Sequence, residues 1–212
     1  MYLFGRSAVL GNGNSRDGAL WVGSITEKVN QITDLNVTVW RTVFSAEIGT
    51  ITWVSVVEEL SQLEAADDKL AADDGFVALL DQGAAYTIGS VNDTLGEVVF
   101  APEGGERPME YASTVTALMA QGNFAKGVEV GIEIAQRVSK ITGEPTTFVK
   151  GITGDYSAVE WITSYESVQA MQDANNKLNQ DASFVQFIDK EIVGVYEAGP
   201  SVTKQTLYRK VL

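Results

Sequence analysis

The 212-residue sequence contains no cysteine and no histidine. The first absence excludes disulfides, thiolate metal sites and cysteine nucleophiles. The second removes Ser-His-Asp triads, histidine-bound zinc, histidine-ligated haem and the usual general base near neutral pH. Any proton transfer falls to Asp, Glu, Tyr or Lys with a pKa shifted by its surroundings. Positive charge is scarce as well: 15 Lys and Arg face 28 Asp and Glu, a net charge of −13. Phosphate backbones and anionic membranes repel such a surface, so neither nucleic acid nor membrane is expected as a partner. No apolar run approaches the ~18 residues of a membrane span. The start MYLFGRSAVLGNGNSRDG has no basic region followed by a long apolar stretch. It does not read as a secretory signal, and a cytoplasmic location is the expectation.

What is present is ordinary for a globular protein: 45% hydrophobic and 20% charged residues, enough for a core without staples. The acidity is uneven. Residues 1–107 hold 6 basic and 16 acidic side chains, residues 108–212 hold 9 and 12. A solvated face accounts for this; a docking face for a basic partner is the sharper alternative.

The chain repeats itself. Trp53–Asp81 and Trp161–Asp189 are both 29 residues long, lie 108 apart and share nine identities without a gap. The match extends upstream at an offset near 109, where Lys28 meets Arg137, Val39 meets Phe148 and Arg41 meets Lys150. Each copy reads as β-α-β-β-α-β. Residues 2–10 suit a strand. GNGNSRDG (11–18) is a turn into a helix, with Asp17 a candidate N-cap. Val22, Ile25, Val29 and Ile32 form a helical stripe over 19–33. Strands follow at 36–44 and 50–57, and Trp53 and Trp161 are expected to end a strand and enter a helix. Leu60, Leu63, Ala66 and Leu70 mark the second helix, as do Val168, Met171, Ala174 and Leu178 in the second copy. Asp73 and Asp181 stand three residues before Phe76 and Phe184, the spacing of a capped helical turn. A fourth strand is expected near 84–90 and 191–197, and an extra strand near 95–100 and 204–211. APEGGERP (101–108) reads as a linker, separating repeat 1 (1–100) from repeat 2 (109–212).

Two tempting motifs carry little. GNGN (11–14) lacks the third glycine and the Lys-Ser/Thr of a phosphate loop, so a plain turn explains it. The Asp pairs 67–68 and 73–74 lack the alternating carboxylates of a calcium loop. A solvated helix face explains them, and no metal or cofactor is expected.

The β-α-β-β-α-β order is the ferredoxin-like unit. The pattern Trp53, Glu58, Asp73, Phe76, repeated as Trp161, Glu166, Asp181, Phe184, resembles the dimeric α+β barrel superfamily, in particular its NIPSNAP-like and antibiotic-biosynthesis-monooxygenase-like members. The resemblance covers nearly the whole chain. It implies an α+β fold in which two tandem ferredoxin-like repeats form an intrachain barrel of antiparallel sheets, with helices outside and ligand pockets in the barrel interior. Haem chemistry also occurs in that superfamily, but its proximal histidine has no counterpart here. Trp40, Arg41, Tyr86, Tyr111, Lys150, Trp161 and Tyr165 are the ligand-binding candidates. Their rings suit a planar hydrophobic ligand, with Arg41 or Lys150 for an anionic oxygen. With no histidine, Glu160 or a tyrosine is the candidate base. The same aromatics could equally fill the core. Two functions stay open: a small-molecule-binding barrel acting as a cofactor-independent oxygenase or related enzyme, and a non-enzymatic interaction module forming homo-oligomers.

Overall fold

The computed structural model describes residues 1–11, 15–102, 109–199 and 202–212. The GNGN turn falls largely outside the described residues, as does the 101–108 linker from residue 103 onward. The strands follow the hydrogen-bonded order β1-β3-β2-β8-β5-β7-β6-β4 and close into a barrel. The α+β class with tandem ferredoxin-like halves is therefore the one the repeat implied. By internal packing the chain forms two units, Met1–Leu95 with Lys210–Leu212, and Gly96–Arg209.

Unit 1 runs β1 (Tyr2–Leu10), α1 (Ser15–Ile32), β2 (Thr38–Thr42), β3 (Thr50–Val57), α2 (Ser61–Ala71), α3 (Asp74–Gly83) and the first part of β4 (Thr87–Phe100). β3 pairs antiparallel with both β1 and β2. The stripe on α1 buries Trp21, Val22 and Ile25 against Val39, Ile51 and Phe76. Asp73 caps α3 by accepting the Phe76 amide at 2.8 Å and binds Lys28 of α1 at 2.9 Å. The two contacts hold the Asp73 carboxyl below the usual range, the lysine first and the amide second.

Unit 2 runs from the end of β4 through β5 (Tyr111–Leu118), α4 (Phe124–Thr142), β6 (Thr146–Gly151), β7 (Ala158–Tyr165), α5 (Val168–Gln180), α6 (Ala182–Gln186), a π-helical turn (Phe187–Glu191) and β8 (Lys204–Lys210). β5 pairs antiparallel with β7 and β8, and β6 with β7 and β4. Asp181 caps α6 through the Phe184 amide at 2.9 Å, as Asp73 does in unit 1. Gly143 ends α4 with φ +83°, a left-handed cap that suits glycine.

Three expectations change. Trp53 and Trp161 lie inside β3 and β7 rather than at a strand end. In the first copy the two strands expected at 84–90 and 95–100 are one strand of 14 residues. Its polar centre, SVND, reads as a turn in sequence, but exposed polar residues suit an extended strand facing solvent. In the second copy 191–197 is not a strand. It makes a single bridge, Met119 to Tyr196. Backbone bonds from the Ala120 and Glu197 amides to the Val195 and Leu118 carbonyls hold it, together with side chains: Tyr196 donates to the Gly127 carbonyl at 2.6 Å and Asn123 to the Gly194 carbonyl at 2.9 Å.

The two units solve one packing problem differently. Where unit 1 has Val22 beneath Val39, unit 2 has Gly131 beneath Phe148, both fully buried pairs. A Cβ at Gly131 would lie 2.2 Å from the Phe148 ring. Gly131→Val alone is therefore expected to destabilise by roughly 1–3 kcal/mol through overpacking. Adding Phe148→Val, which copies the unit 1 pair, should recover most of the loss. Urea midpoints of the two single variants and the double variant measure the coupling; additive losses would refute it.

Candidate functional site: an apolar cavity and a buried carboxyl

A cavity of about 590 Å³ opens within unit 1 between β1–β3 and the helices. Its walls are Phe4, Trp21, Trp53 and Phe76, with aliphatic side chains such as Ile25 and Leu70 between them. Trp21 reaches its place because α3 ends in Gly83: a Cβ there would stand 2.5 Å from the indole. Trp21 Nε1 donates to the Leu79 carbonyl at 2.7 Å, and Trp53 Nε1 to Thr26 Oγ1 at 2.8 Å. The two indoles meet edge to face with centroids 5.9 Å apart. Every indole N–H is thus already paired, and the rings offer the cavity only their faces and edges.

Polar groups sit at the margin. Arg6 grips Asp93 through Nε and Nη2, both at 2.8 Å. Each side chain is nearly half exposed. The Arg6 pKa is raised, first by this hydrogen bond and further by the charges of Asp93 and Asp67, against the opposing effect of burial. Ser55 Oγ donates to the Leu35 carbonyl and Thr87 Oγ1 to the Gly83 carbonyl. The cavity can hold an apolar, ring-shaped molecule, and it contains no free acid or base to transform one.

In unit 2 aromatic rings occupy the equivalent place. Trp161 donates to the Gly131 carbonyl at 2.8 Å, the counterpart of the Trp53 bond. Phe148 at 5.4 Å and Tyr196 at 5.3 Å close over it, and burial pushes the Tyr196 hydroxyl upward.

The chemistry in unit 2 lies on the other face of its sheet. Trp161 points toward α4, so Glu160 beside it points away. Glu160 is half-buried. Loss of solvent pushes its carboxyl up to about 7, partly offset by a hydrogen bond with Thr114. Its cross-strand neighbours are Thr116 and Val149, and no cation acts on it.

The eight sequence candidates are not gathered in one place. Tyr86 packs behind Trp21 at 6.0 Å. Arg41 is exposed on the side of Val39, and Trp40 lies on the opposite face, bonded to Thr38 Oγ1 at 3.1 Å. Lys150 pairs with Glu97 at 2.6 Å and stands 5.9 Å from the Phe124 ring. Tyr111 lies under Arg209 at 5.7 Å. Tyr165 and Trp161 are buried core residues, and burial raises the Tyr165 hydroxyl. None of the eight lines the unit 1 cavity, which opens on the helix side of the sheet rather than in the barrel interior. Sequence reasoning missed Phe4, Arg6 and Asp93. The available signal was the alternation of Phe4, Arg6 and Ala8 along β1, which puts all three on one face.

No family model matches the sequence, and no curated protein does. Solved structures share the fold. A protein assigned as a monooxygenase from Fusobacterium nucleatum superposes with TM-score 0.73 at 8% identity, covering 100% of this chain and 92% of its own. An anthrone oxidase-like protein gives 0.67 at 12% identity, covering 100% and 91%. A chlorite dismutase from Candidatus Nitrospira defluvii gives 0.57 at 13% identity, covering 99% and 91%. At such identities the likeness carries the α+β barrel fold alone.

The Glu160 carboxyl gives a pH signature. Between the ordinary glutamate value near 4.5 and about 7 the folded chain holds a proton that the unfolded chain has lost. Stability contributed by this group therefore falls as pH rises through that window. Glu160→Gln removes the effect. The gap between variant and wild type should widen from pH 5 to above pH 7 by up to ~3 kcal/mol. Urea unfolding of both across that range tests it; parallel profiles would place the Glu160 pKa in the ordinary range.

Proposed function

We propose that the protein binds a planar hydrophobic small molecule in the unit 1 cavity. The observation that supports this is the cavity itself: its volume falls in the range of ligand pockets, and its walls are mostly aromatic and aliphatic, with the charged pair Arg6–Asp93 partly exposed to solvent. A packed core of this size does not ordinarily leave so large an apolar space empty. Trp21 and Trp53 line it, so binding should change their fluorescence. Ala84 stands at the mouth, exposed, at the end of α3. Ala84→Phe is expected to weaken binding of a polycyclic probe at least about tenfold while leaving the urea midpoint within the ~0.5 kcal/mol typical of surface changes. Titration of tryptophan emission in both proteins checks this; equal affinities would move the ligand elsewhere.

A second reading, cofactor-independent oxygenase chemistry, rests on Glu160. In such chemistry a base removes a proton from an electron-rich aromatic substrate, and the resulting anion reduces oxygen itself. The protein supplies orientation and the proton acceptor. A carboxylate whose conjugate acid titrates near 7 is matched to that task at neutral pH. The anthrone oxidase-like neighbour suggests the substrate type to try. Oxygen uptake with an anthrone should rise with pH through about 7 and fall at least about a hundredfold in Glu160→Gln, the usual contribution of a general base. Uptake unaffected by the substitution would exclude Glu160 from the reaction.

A further inference from the structure

We infer that the unit 1 cavity selects neutral or cationic apolar molecules against anionic ones, with Asp93 and Asp67 setting the preference. This rests on the reading of the cavity as a ligand site.

Arg6 is the only cation in the lining. A lone arginine at the rim of an apolar pocket ordinarily invites a carboxylate, sulfonate or phosphate. Here the guanidinium is already matched. Two of its nitrogens bond both oxygens of Asp93 in a fork-to-fork pair, the strongest geometry an arginine and a carboxylate form. Its remaining approach is occupied in part by Phe4, whose ring lies 5.7 Å from the guanidinium carbon. A second acid, Asp67 of α2, also acts on Arg6 through space. The rim thus carries the matched Arg6–Asp93 pair, with the charge of Asp67 acting on it from outside the lining. Asp93 keeps unused lone pairs that accept hydrogen bonds from a ligand N–H. Below the rim lie mostly rings and alkyl groups, with the buried Ser55 hydroxyl turned to the Leu35 carbonyl, and ring faces attract cations and repel anions. The chain's net charge of −13 adds a field of the same sign. An anionic ligand would have to give up water beside Asp93 and Asp67, or displace Asp93 from Arg6 and leave that carboxylate unpaired.

A matched pair of probes tests this. N-phenyl-1-naphthylamine and 1-anilinonaphthalene-8-sulfonate share one ring skeleton and differ by the sulfonate. Each is titrated against wild type, Asp93→Asn and Asp67→Asn, reading both probe emission and quenching of tryptophan. The expected result is binding of the neutral probe at least tenfold tighter than the sulfonate in wild type, with the gap narrowing in both variants. Circular dichroism confirms that each variant is folded, and Asp67, an exposed helix residue outside the lining, gives a variant that leaves the Arg6–Asp93 fork in place. Sulfonate binding as tight as the neutral probe, or a gap unchanged in both variants, overturns the charge preference while leaving the cavity a ligand site. Failure of both probes to bind overturns the ligand site and the preference with it.

Discussion

Each unit depends on one indole that leaves the sheet and donates its only hydrogen bond to the helix above. Trp53 reaches Thr26 on α1, and Trp161 reaches the Gly131 carbonyl on α4. A buried indole N–H without a partner is costly, and an indole has just one donor to satisfy. The bond therefore fixes where the helix sits along the strand. Once the helix is placed, the rest of the layer follows. The Lys28–Asp73 pair joins α1 to the cap of α3. In unit 2 Arg137 lies 4.1 Å over the Phe187 ring and contributes to lowering the Asp181 carboxyl, after Ser183 and the Phe184 amide. The identities shared by the two copies cluster on this scaffold of tryptophan, capping aspartate and following phenylalanine.

The same scaffold holds two different interiors. In unit 2 the glycine at 131 lets a phenylalanine lie against the helix, while Tyr196 and Phe187 come in from the irregular segment after α6. That segment keeps one antiparallel bridge, Met119 to Tyr196, and the Tyr196 and Phe187 rings reach the core from it. In unit 1 the corresponding chain continues straight into β4, a regular strand with exposed polar residues through its middle. Tyr86, just before β4, packs beside Trp21, and the space beyond it between sheet and helices stays open.

This explains what could be read in advance. Helical stripes, capping aspartates and the repeat itself are local patterns, and they located α1, α2, α3 and their partners in unit 2 to within a few residues. β4 and the 191–197 segment were less legible, because both depend on what the chain meets in space. The SVND stretch looks like a turn until it is seen to run beside β1, where Thr94 donates to the Gly5 carbonyl. Tyr196 sits in a strand-like sequence, yet its ring has a better partner in Trp161. The site suffered most. Aromatic residues singled out by type included Trp161 and Tyr165, which are core. Arg6 and Phe4 sit in an unremarkable first strand, and only the pairing of Arg6 with a residue 87 positions away marks the rim.

Glu160 was legible for a different reason. Without histidine, a group that exchanges protons near neutral pH has to be made from a carboxyl, a lysine or a phenol by its surroundings. Phenols start near pH 10, and burial moves them further up, as it does Tyr165 and Tyr196. Lysine would need burial without a partner, and Lys28 and Lys150 both have carboxylates within 3 Å. Carboxyls move toward neutrality when buried, provided no cation or ring of amides stabilises the charge. Asp73 and Asp181 fail that condition: Lys28 and then the Phe76 amide hold the first low, the Ser183 hydroxyl and then the Phe184 amide the second. Glu160 meets it: burial raises it, and a single threonine hydroxyl is the only opposing contact. Composition alone left a tyrosine open beside Glu160; among the described groups with a shifted pKa, Glu160 is the one that burial moves toward neutrality.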